Sequence, residues 1–200
     1  MSALPDCPAM TVEEYLEFDR KSENIRYEYI DGQLRMLAGD SLNHSMISLN
    51  IAVTLRGLLR GRSCRVYNSD ARVNFSKTRY VYPDVTVTCD GRDRGSHDNI
   101  RSPRVVFEIL SPGTEDYNRG RKFTNYRDVP TIQEYVLVAS DCQIIEIYRR
   151  ASEKLWTIHT FGQDEYADLA SLGVRFSVAS AYEDVKFGNE SFFPDDDEPA

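Results

Sequence analysis

The chain has few cysteines, and they do not show the spacing of a metal-binding or disulfide-linked scaffold. Four cysteines occur among 200 residues, and no two of them form a Cys-x-x-Cys pair. Zinc-binding modules and small disulfide-rich domains need closely spaced cysteines, so the sequence argues against both classes. We expect reduced, mostly buried thiols at Cys7, Cys64, Cys89 and Cys142.

The chain also lacks long apolar runs and a leader-like N-terminus. No segment approaches the ~20 consecutive apolar residues of a membrane-spanning helix. Residues 1–7 carry neither the basic region nor the apolar region of a signal peptide. We therefore expect a cytoplasmic protein with no membrane partner.

Positive charge is scarce in this chain. Lysine and arginine number 24 against 32 aspartates and glutamates, which leaves a net charge of −8. This balance argues against broad, nonspecific adhesion to nucleic acid. Basic residues nevertheless cluster locally, and the pattern allows either a solvated surface or a patch that contacts phosphate. The clustered residues are Arg92, Arg94, Arg101, Arg104, Arg119, Arg121, Lys122 and Arg127.

Length and composition predict one compact domain. The chain is 41% hydrophobic and 28% charged, which is typical of a globular protein with a sizeable core. We expect a single domain over residues 1–190, followed by an acidic C-terminal tail over residues 191–200. The order of predicted elements indicates an α/β fold of the α+β type, in which helices flank a central, curved, mixed β-sheet.

Local patterns support that fold class. Thr11 and Glu14 have the spacing of a capping box, which predicts a helix to about Arg20. Asp31-Gly32 separates two strand-like runs and predicts a tight hairpin turn. A long helix is expected from Ser41 to about Arg60. Strands are expected at Tyr80 to Cys89, Val105 to Leu110, Tyr135 to Ala139, Gln143 to Arg149 and Leu155 to Phe161, with a helix from Thr114 to Val129.

Two carboxylates lie inside apolar strand-like runs, and this is the strongest functional signal. Asp84 follows Tyr82-Pro83, and Glu108 lies in the run Val105 to Leu110. An ionised carboxylate among apolar side chains costs several kcal/mol unless a cation or hydrogen-bond donors compensate it. Pro83 lacks an N–H group and predicts an edge position or a bulge, where Asp84 would be accessible. Two such acids brought together favour a divalent cation between them.

A lysine on the following helix completes the set. Lys122 comes 14 residues after Glu108, which leaves room for a turn and about two helical turns. Carboxylates that hold Mg²⁺ or Mn²⁺ and a nearby lysine are the groups required for metal-assisted hydrolysis of a phosphodiester. The residues alone also allow a structural interpretation, in which Asp84 bonds to a turn and Glu108 pairs with Arg72 or Lys122.

These segments together resemble a known family. The motifs are Tyr82-Pro83-Asp84-Val85, Val105-Val106-Phe107-Glu108-Ile109-Leu110-Ser111-Pro112, Lys122-Phe123-Thr124-Asn125-Tyr126 and Gln133-Glu134-Tyr135-Val136. They are similar to motifs of the Uma2 family of restriction endonuclease-like proteins, formerly a domain of unknown function. The resemblance implies the PD-(D/E)xK nuclease fold, dependence on a divalent metal, and a nucleic-acid substrate, with DNA expected over RNA.

The resemblance also implies roles for individual residues. Asp84 and Glu108 correspond to the acidic metal ligands of the motif. Leu110 stands where the general nuclease motif has lysine, and in the similar family that role passes to a lysine on the next helix, here Lys122. Glu28 corresponds to an acid in the early hairpin that assists catalysis, and His44 corresponds to a histidine at the start of the long helix.

Three functional hypotheses follow. The first is a metal-dependent endonuclease in which Asp84 and Glu108 bind Mg²⁺ or Mn²⁺, Lys122 orients water or stabilises the transition state, and Glu28 assists. The second is a catalytically inactive nuclease-fold module that binds nucleic acid or a protein partner. The third is a metal-dependent hydrolase of another phosphate ester. A homodimer is expected from the restriction-type resemblance, although no segment identifies an interface.

Overall fold

The structure, a computed structural model, describes residues 10–22, 25–37, 41–95, 98–111, 113 and 115–188. Cys7, Thr114 as a helix start, and the tail predicted at 191–200 lie outside these described residues. The helices are α1 (Val12–Lys21), α2 (Leu42–Leu58), α3 (Glu115–Tyr117), α4 (Phe123–Arg127) and α5 (Val178–Ala181), with a π-helical segment at Asn118–Lys122 and a 3₁₀ turn at Gly91–Asp93.

The described residues form two main sheets and a small two-stranded sheet. Six strands in the order β10-β9-β8-β7-β6-β3 form the central sheet, and β2-β1-β5-β4 form a second one. Only β7 and β8 are parallel in the central sheet, which confirms the predicted mixed α+β class. The strands are β1 (Tyr27–Ile30), β2 (Gln33–Met36), β3 (Arg65–Asn68), β4 (Val73–Ser76), β5 (Arg79–Val81), β6 (Val85–Thr88), β7 (Pro103–Leu110), β8 (Glu134–Ala139), β9 (Ile145–Arg150), β10 (Trp156–Phe161), β11 (Tyr166–Leu169) and β12 (Val174–Ser177).

The central sheet has a hydrophobic core on each face. Alternate residues of a strand point to opposite faces, so Phe107 and Ile109 pack with α2 in one core, while Val106 and Leu110 pack in another core with Tyr126 of α4. This alternation of side chains along β7 determines the face of the sheet on which the site lies. Glu108 shares its face with Val106 and Leu110, on the side covered by the π-helical segment and α4.

Local sequence signals proved reliable at the N-terminal elements. Thr11 and Glu14 form the predicted capping box, and α1 ends at Lys21. The hairpin turn between β1 and β2 has positive φ at Asp31 (51°) and Gly32 (92°), as the Asp-Gly pair predicts. The described part of the chain contains no helix with the length and hydropathy needed to cross a bilayer.

The strand predicted from Tyr80 to Cys89 is wrong as one element. It divides into β5, which belongs to the second sheet, and β6, which lies inside the central sheet between β3 and β7. Pro83 is therefore neither on an edge strand nor in a bulge, because it precedes β6. The missing N–H group of proline suits this crossing between sheets. The crossing leaves Asp84 at the mouth of a cavity, with its side chain 15% exposed.

The expectation of reduced thiols is also wrong for two of the four cysteines. Cys64 and Cys89 form a disulfide across a separation of 25 residues. Arg65 pairs with Thr88 in the antiparallel β3–β6 ladder, so the two cysteines lie opposite each other just beyond it. Sequence spacing could not reveal this, because the pairing depends on strand register. Cys142 is free and exposed.

We expect the double substitution Cys64→Ser/Cys89→Ser to lower the free energy of unfolding by about 3 kcal/mol, because a cross-link that closes a loop of this length restricts the unfolded chain. Urea unfolding followed by circular dichroism measures the change. A reductant should lower the free energy of unfolding of the parent protein to the same extent and leave that of the double variant unchanged. Cys142→Ser is the control, and an equal loss in that variant would contradict the assignment to the disulfide.

Candidate active site

One cavity brings together all five residues that the sequence predicted for the site. It has a volume of about 870 Å³ and lies between β1, the first half of α2, the start of β6 and the π-helical segment. The predicted residues that line it are Glu28, His44, Asp84, Glu108 and Lys122.

Strand register places the two central acids side by side. Val85 pairs with Phe107 in the antiparallel β6–β7 ladder, so Asp84 lies across from Glu108. The backbone N–H of Ile109 donates a hydrogen bond of 2.7 Å to Oδ2 of Asp84. His44 Nε2 lies 3.3 Å from the same oxygen. The carboxylate of Asp84 is thus held by a neighbouring strand and by α2.

Glu108 is buried and depends on two donors. Its side chain is about 3% exposed, Tyr126 donates its hydroxyl to Oε1 at 2.5 Å, and Lys122 donates to Oε2 at 2.9 Å. Burial raises the pKa of Glu108 to about 7, against the opposing effect of Lys122, and the nearby charges of Asp84 and Glu28 contribute in the same direction as burial. The structure thus concentrates negative charge around Glu108.

Lys122 joins the two sheets through its ammonium group. Its Nζ lies 3.0 Å from Oε1 of Glu28 on β1 and 2.9 Å from Oε2 of Glu108 on β7. Burial by itself would lower the pKa of Lys122, but the carboxylates of Glu108 and Glu28 outweigh burial and raise that pKa overall. Lys122 is therefore a buried cation stabilised by two carboxylates.

A π-helical segment directs Lys122 inward. The helix predicted as one piece from Thr114 to Val129 is divided, because Asn118–Lys122 winds with i→i+5 geometry between α3 and α4. The segment is fixed at its start, where the carbonyl of buried Asn118 accepts a hydrogen bond from Tyr135 at 3.0 Å. Single π-turns inside helices frequently occur at functional sites. Amino-acid pattern alone carries no clear signal for such a turn.

Glu28 has spare binding capacity. Its side chain is fully buried, and neither of its carboxylate oxygens receives a hydrogen bond within the described residues. The ammonium of Lys122 is close enough for an ion pair with Oε1, but it does not have hydrogen-bond geometry to that oxygen. A buried carboxylate with unsatisfied oxygens attracts a further cation or donor.

The donor set fits a hard divalent cation. The cavity offers carboxylate oxygens, which Mg²⁺ and Mn²⁺ prefer, and it has no thiolate. Among the described residues, no group of three or more His, Cys, Asp and Glu side chains has the spacing to hold a metal by itself. A divalent ion in this cavity would therefore take most of its ligands from water and substrate oxygens, as is usual for Mg²⁺.

Several other residues take positions that sequence reasoning missed or left open. Tyr126 was expected in the core, and it is there, but its hydroxyl also binds Glu108. Its spacing of four from Lys122, which places both on one helical face, could have signalled this. Asp70 lines the cavity, whereas Arg72 turns away and pairs with Asp19 at 2.5 Å. Glu108 therefore pairs with Lys122 and not with Arg72.

The basic residues that cluster in the sequence between Arg92 and Arg127 do not form one surface patch. Arg92 pairs with Asp90, Arg119 pairs with Glu115 and Glu146, and Lys122 is buried in the site. Arg94 and Arg104 each donate to a backbone carbonyl, of Ser63 and Ser171 respectively. The solvated-surface interpretation fits most of these side chains better than a phosphate patch.

The chain matches a protein family and related sequences over most of its length. The family described as "Uma2: Putative restriction endonuclease" matches residues 12–179. The protein slr1290 of Synechocystis sp., described as uncharacterised, is 38% identical over 181 residues, which cover 90% of this chain and 95% of that protein. Another uncharacterised Synechocystis protein, sll1609, is 28% identical over 152 residues, covering 74% of this chain and 85% of its own length.

A solved structure shares the fold. The crystal structure described as a putative nuclease belonging to DUF820 from Anabaena variabilis superposes with a TM-score of 0.70. The superposition covers 87% of this chain and 98% of that chain at 18% sequence identity. The mixed sheet and its flanking helices are therefore those of a restriction endonuclease-like fold, as the sequence predicted.

Replacing Lys122 tests the charge balance of the site. We expect Lys122→Met to lower the free energy of unfolding by about 3–5 kcal/mol, because two buried carboxylates would lose their cation. Adding Glu28→Gln should recover part of that loss by removing one of the carboxylates. Arg121→Met, at an exposed neighbour in the same π-helical segment, should change stability by no more than about 0.5 kcal/mol. Denaturant titration measures all three, and equal losses in Lys122→Met and Arg121→Met would contradict the prediction.

Proposed function

The chain belongs to the Uma2 family, and from that premise we propose that it is a metal-dependent endonuclease that hydrolyses phosphodiester bonds of nucleic acid, with DNA as the expected substrate. One observation supports this above all others. Asp84 and Glu108 lie across from each other on adjoining strands, in one cavity with a buried lysine.

Asp84 and Glu108 are the proposed metal ligands. A bound Mg²⁺ or Mn²⁺ would supply positive charge to the phosphate oxygens and lower the pKa of a coordinated water. The protein prepares both ligands without the ion. The N–H of Ile109 and the ring of His44 orient Asp84, and the hydroxyl of Tyr126 orients Glu108. His44 and Tyr126 are therefore proposed as positioning residues.

Lys122 is proposed to act on the reacting phosphate. Its ammonium is charged and fixed by Glu28 and Glu108, so it can hold the attacking water or stabilise the negative charge that develops on the phosphate oxygens. Glu28 assists by keeping the ammonium in place. Leu110 stands at the lysine position of the general nuclease motif and carries no charge. We propose that Lys122, on the π-helical segment, supplies the missing positive charge.

A second candidate function is an inactive module that binds nucleic acid or a protein partner. The close ion pairs of Lys122 with Glu28 and Glu108 favour it, because they already compensate buried charge without a metal. Under this alternative the charged cluster would serve stability alone.

Cleavage of DNA separates the two candidates. We expect the purified protein to cut DNA when Mg²⁺ or Mn²⁺ is present, and Asp84→Asn or Glu108→Gln to reduce the rate by at least about a hundredfold, because each removes a proposed metal ligand. Lys122→Met should reduce kcat with little change in KM. Gel analysis of a labelled duplex measures these rates.

Asp116→Asn is the matched control, because Asp116 is an exposed acid on α3 outside the cavity, and this variant should cut as the parent protein does. Full activity in Asp84→Asn would overturn the site assignment. Circular dichroism of each variant shows whether lost activity reflects lost folding.

Metal affinity gives a second test that does not depend on activity. We expect calorimetric titration with Mn²⁺ to show binding to the parent protein, and Asp84→Asn/Glu108→Gln to abolish it, because the double substitution removes both proposed metal ligands. The Asp116→Asn variant should bind as the parent does. No heat of binding in the parent protein would favour the inactive module.

A further inference from the structure

A second cavity lies at the other end of α2 and is lined by arginine. Its volume is about 600 Å³, and it lies between the C-terminal half of α2, the turn that follows and edge strand β3. Four of the residues that line it are arginines, and none is acidic: Arg56, Arg60, Arg62 and Arg65.

Among the residues that the structure describes, these four arginines form no ion pair with a carboxylate. Arg72, Arg79 and Arg149 elsewhere in the fold all do. Four guanidinium groups around one concave surface without a described acidic neighbour create a strong local positive potential. In a chain with a net charge of −8, this concentration calls for an anionic ligand.

Two of the four arginines are fixed in place. Arg62 donates to the backbone carbonyls of Leu172 and Gly173, and Arg65 donates to those of Arg62 and Cys64. A guanidinium has five N–H donors, so each retains donors for a ligand. Arg56 on α2 and Arg60 in the turn after it are exposed and complete the rim. Such planar, multidentate donors match phosphate geometry.

The same two elements border both cavities. Ser45, Ser48 and Ala52 of α2 line the candidate active site. Val53 and Arg56 continue along that helix into the arginine cavity, and Arg60 lies in the turn that follows it. Strand β3 also borders both cavities, with Arg65 at the arginine cavity and Asn68 at the candidate active site. From Ser48 to Arg56 the helix rises about 12 Å. The two cavities are therefore separated by a few nucleotides of a duplex strand, whose axial rise is ~3.4 Å per nucleotide.

We propose that the arginine cavity binds backbone phosphates of the nucleic-acid substrate a few nucleotides from the bond held at Asp84 and Glu108. The inference rests on the proposed function for its substrate class. It explains how an acidic protein holds a polyanion, because four arginines add positive charge directly beside a reaction site that itself contains Arg26 and Arg35. A cavity lined by four arginines and no acid suits an anionic ligand and not a cationic one.

A binding experiment tests the cavity without cleavage. Fluorescence anisotropy is measured with a labelled DNA duplex of about 24 base pairs, in buffer with a chelator. We expect Arg56→Ala/Arg60→Ala to bind about tenfold more weakly than the parent protein, and the plot of log affinity against log salt to become shallower by about 1.8, since each lost phosphate contact removes about 0.9.

The control removes the same charge elsewhere. Arg127→Ala/Arg175→Ala changes two exposed arginines that line neither cavity, and it should retain affinity and salt slope. The side chains of Arg56 and Arg60 make no hydrogen bond to the other described residues, so their removal should leave folding intact, which thermal unfolding checks. Equal weakening in both double variants, or unchanged binding in Arg56→Ala/Arg60→Ala, would overturn the proposal.

Substrate length gives an independent readout in cleavage. The parent protein should show a lower KM for the long duplex than for a hairpin with a stem of about six base pairs, and Arg56→Ala/Arg60→Ala should remove that difference while kcat stays unchanged. If DNA binds through the arginines but Asp84→Asn changes no cleavage, the proposed function fails and this inference stands. If cleavage needs Asp84 but neither double variant alters binding or KM, this inference alone fails.

Discussion

The buried ammonium of Lys122 is the interaction on which the site depends. It lies within 3.0 Å of one carboxylate from each main sheet, Glu28 on β1 and Glu108 on β7. Without this cation, the second sheet would bring a fully buried acid against another acid, and charge repulsion would oppose the packing of the two sheets. Lys122 ends the π-helical segment, and from there its ammonium reaches both carboxylates. The winding of this helix, the packing of the two sheets and the charge balance of the site therefore all involve the same side chain.

Sequence reasoning succeeded where chemistry is local or where a residue type is costly in its setting. An acid inside an apolar strand needs a partner, and that rule identified Asp84 and Glu108. Prediction from sequence was less successful where the position of a side chain depends on strand register or on the winding of a helix. The Cys64–Cys89 bond follows from which residues of β3 and β6 face each other. The delivery of Lys122 to Glu108 and Glu28 follows from a helix that is not regularly α-helical.

The split of one predicted strand shows the same limit. An apolar run with alternating residues predicts extended backbone, but it does not say which sheet each half joins. Here β5 pairs with β1 and β4, and β6 pairs with β3 and β7. The crossing between them carries Pro83 and Asp84. An acid at such a crossing escapes regular pairing and keeps a partly exposed side chain, 15% in Asp84, although the reason predicted from Pro83, an edge position or a bulge, was wrong.

Charge counting links the lysine to the proposed metal. Three carboxyl groups, those of Glu28, Asp84 and Glu108, surround the one ammonium of Lys122. Arg26 and Arg35 also line the cavity, but Arg26 pairs with Asp70, and the guanidinium of Arg35 lies over the ring of Tyr117. The carboxyl groups therefore outnumber the cation that contacts them. The ion pairs of Lys122 thus reduce the negative charge of this group without removing it, and a divalent cation such as Mg²⁺ or Mn²⁺ would compensate the remainder.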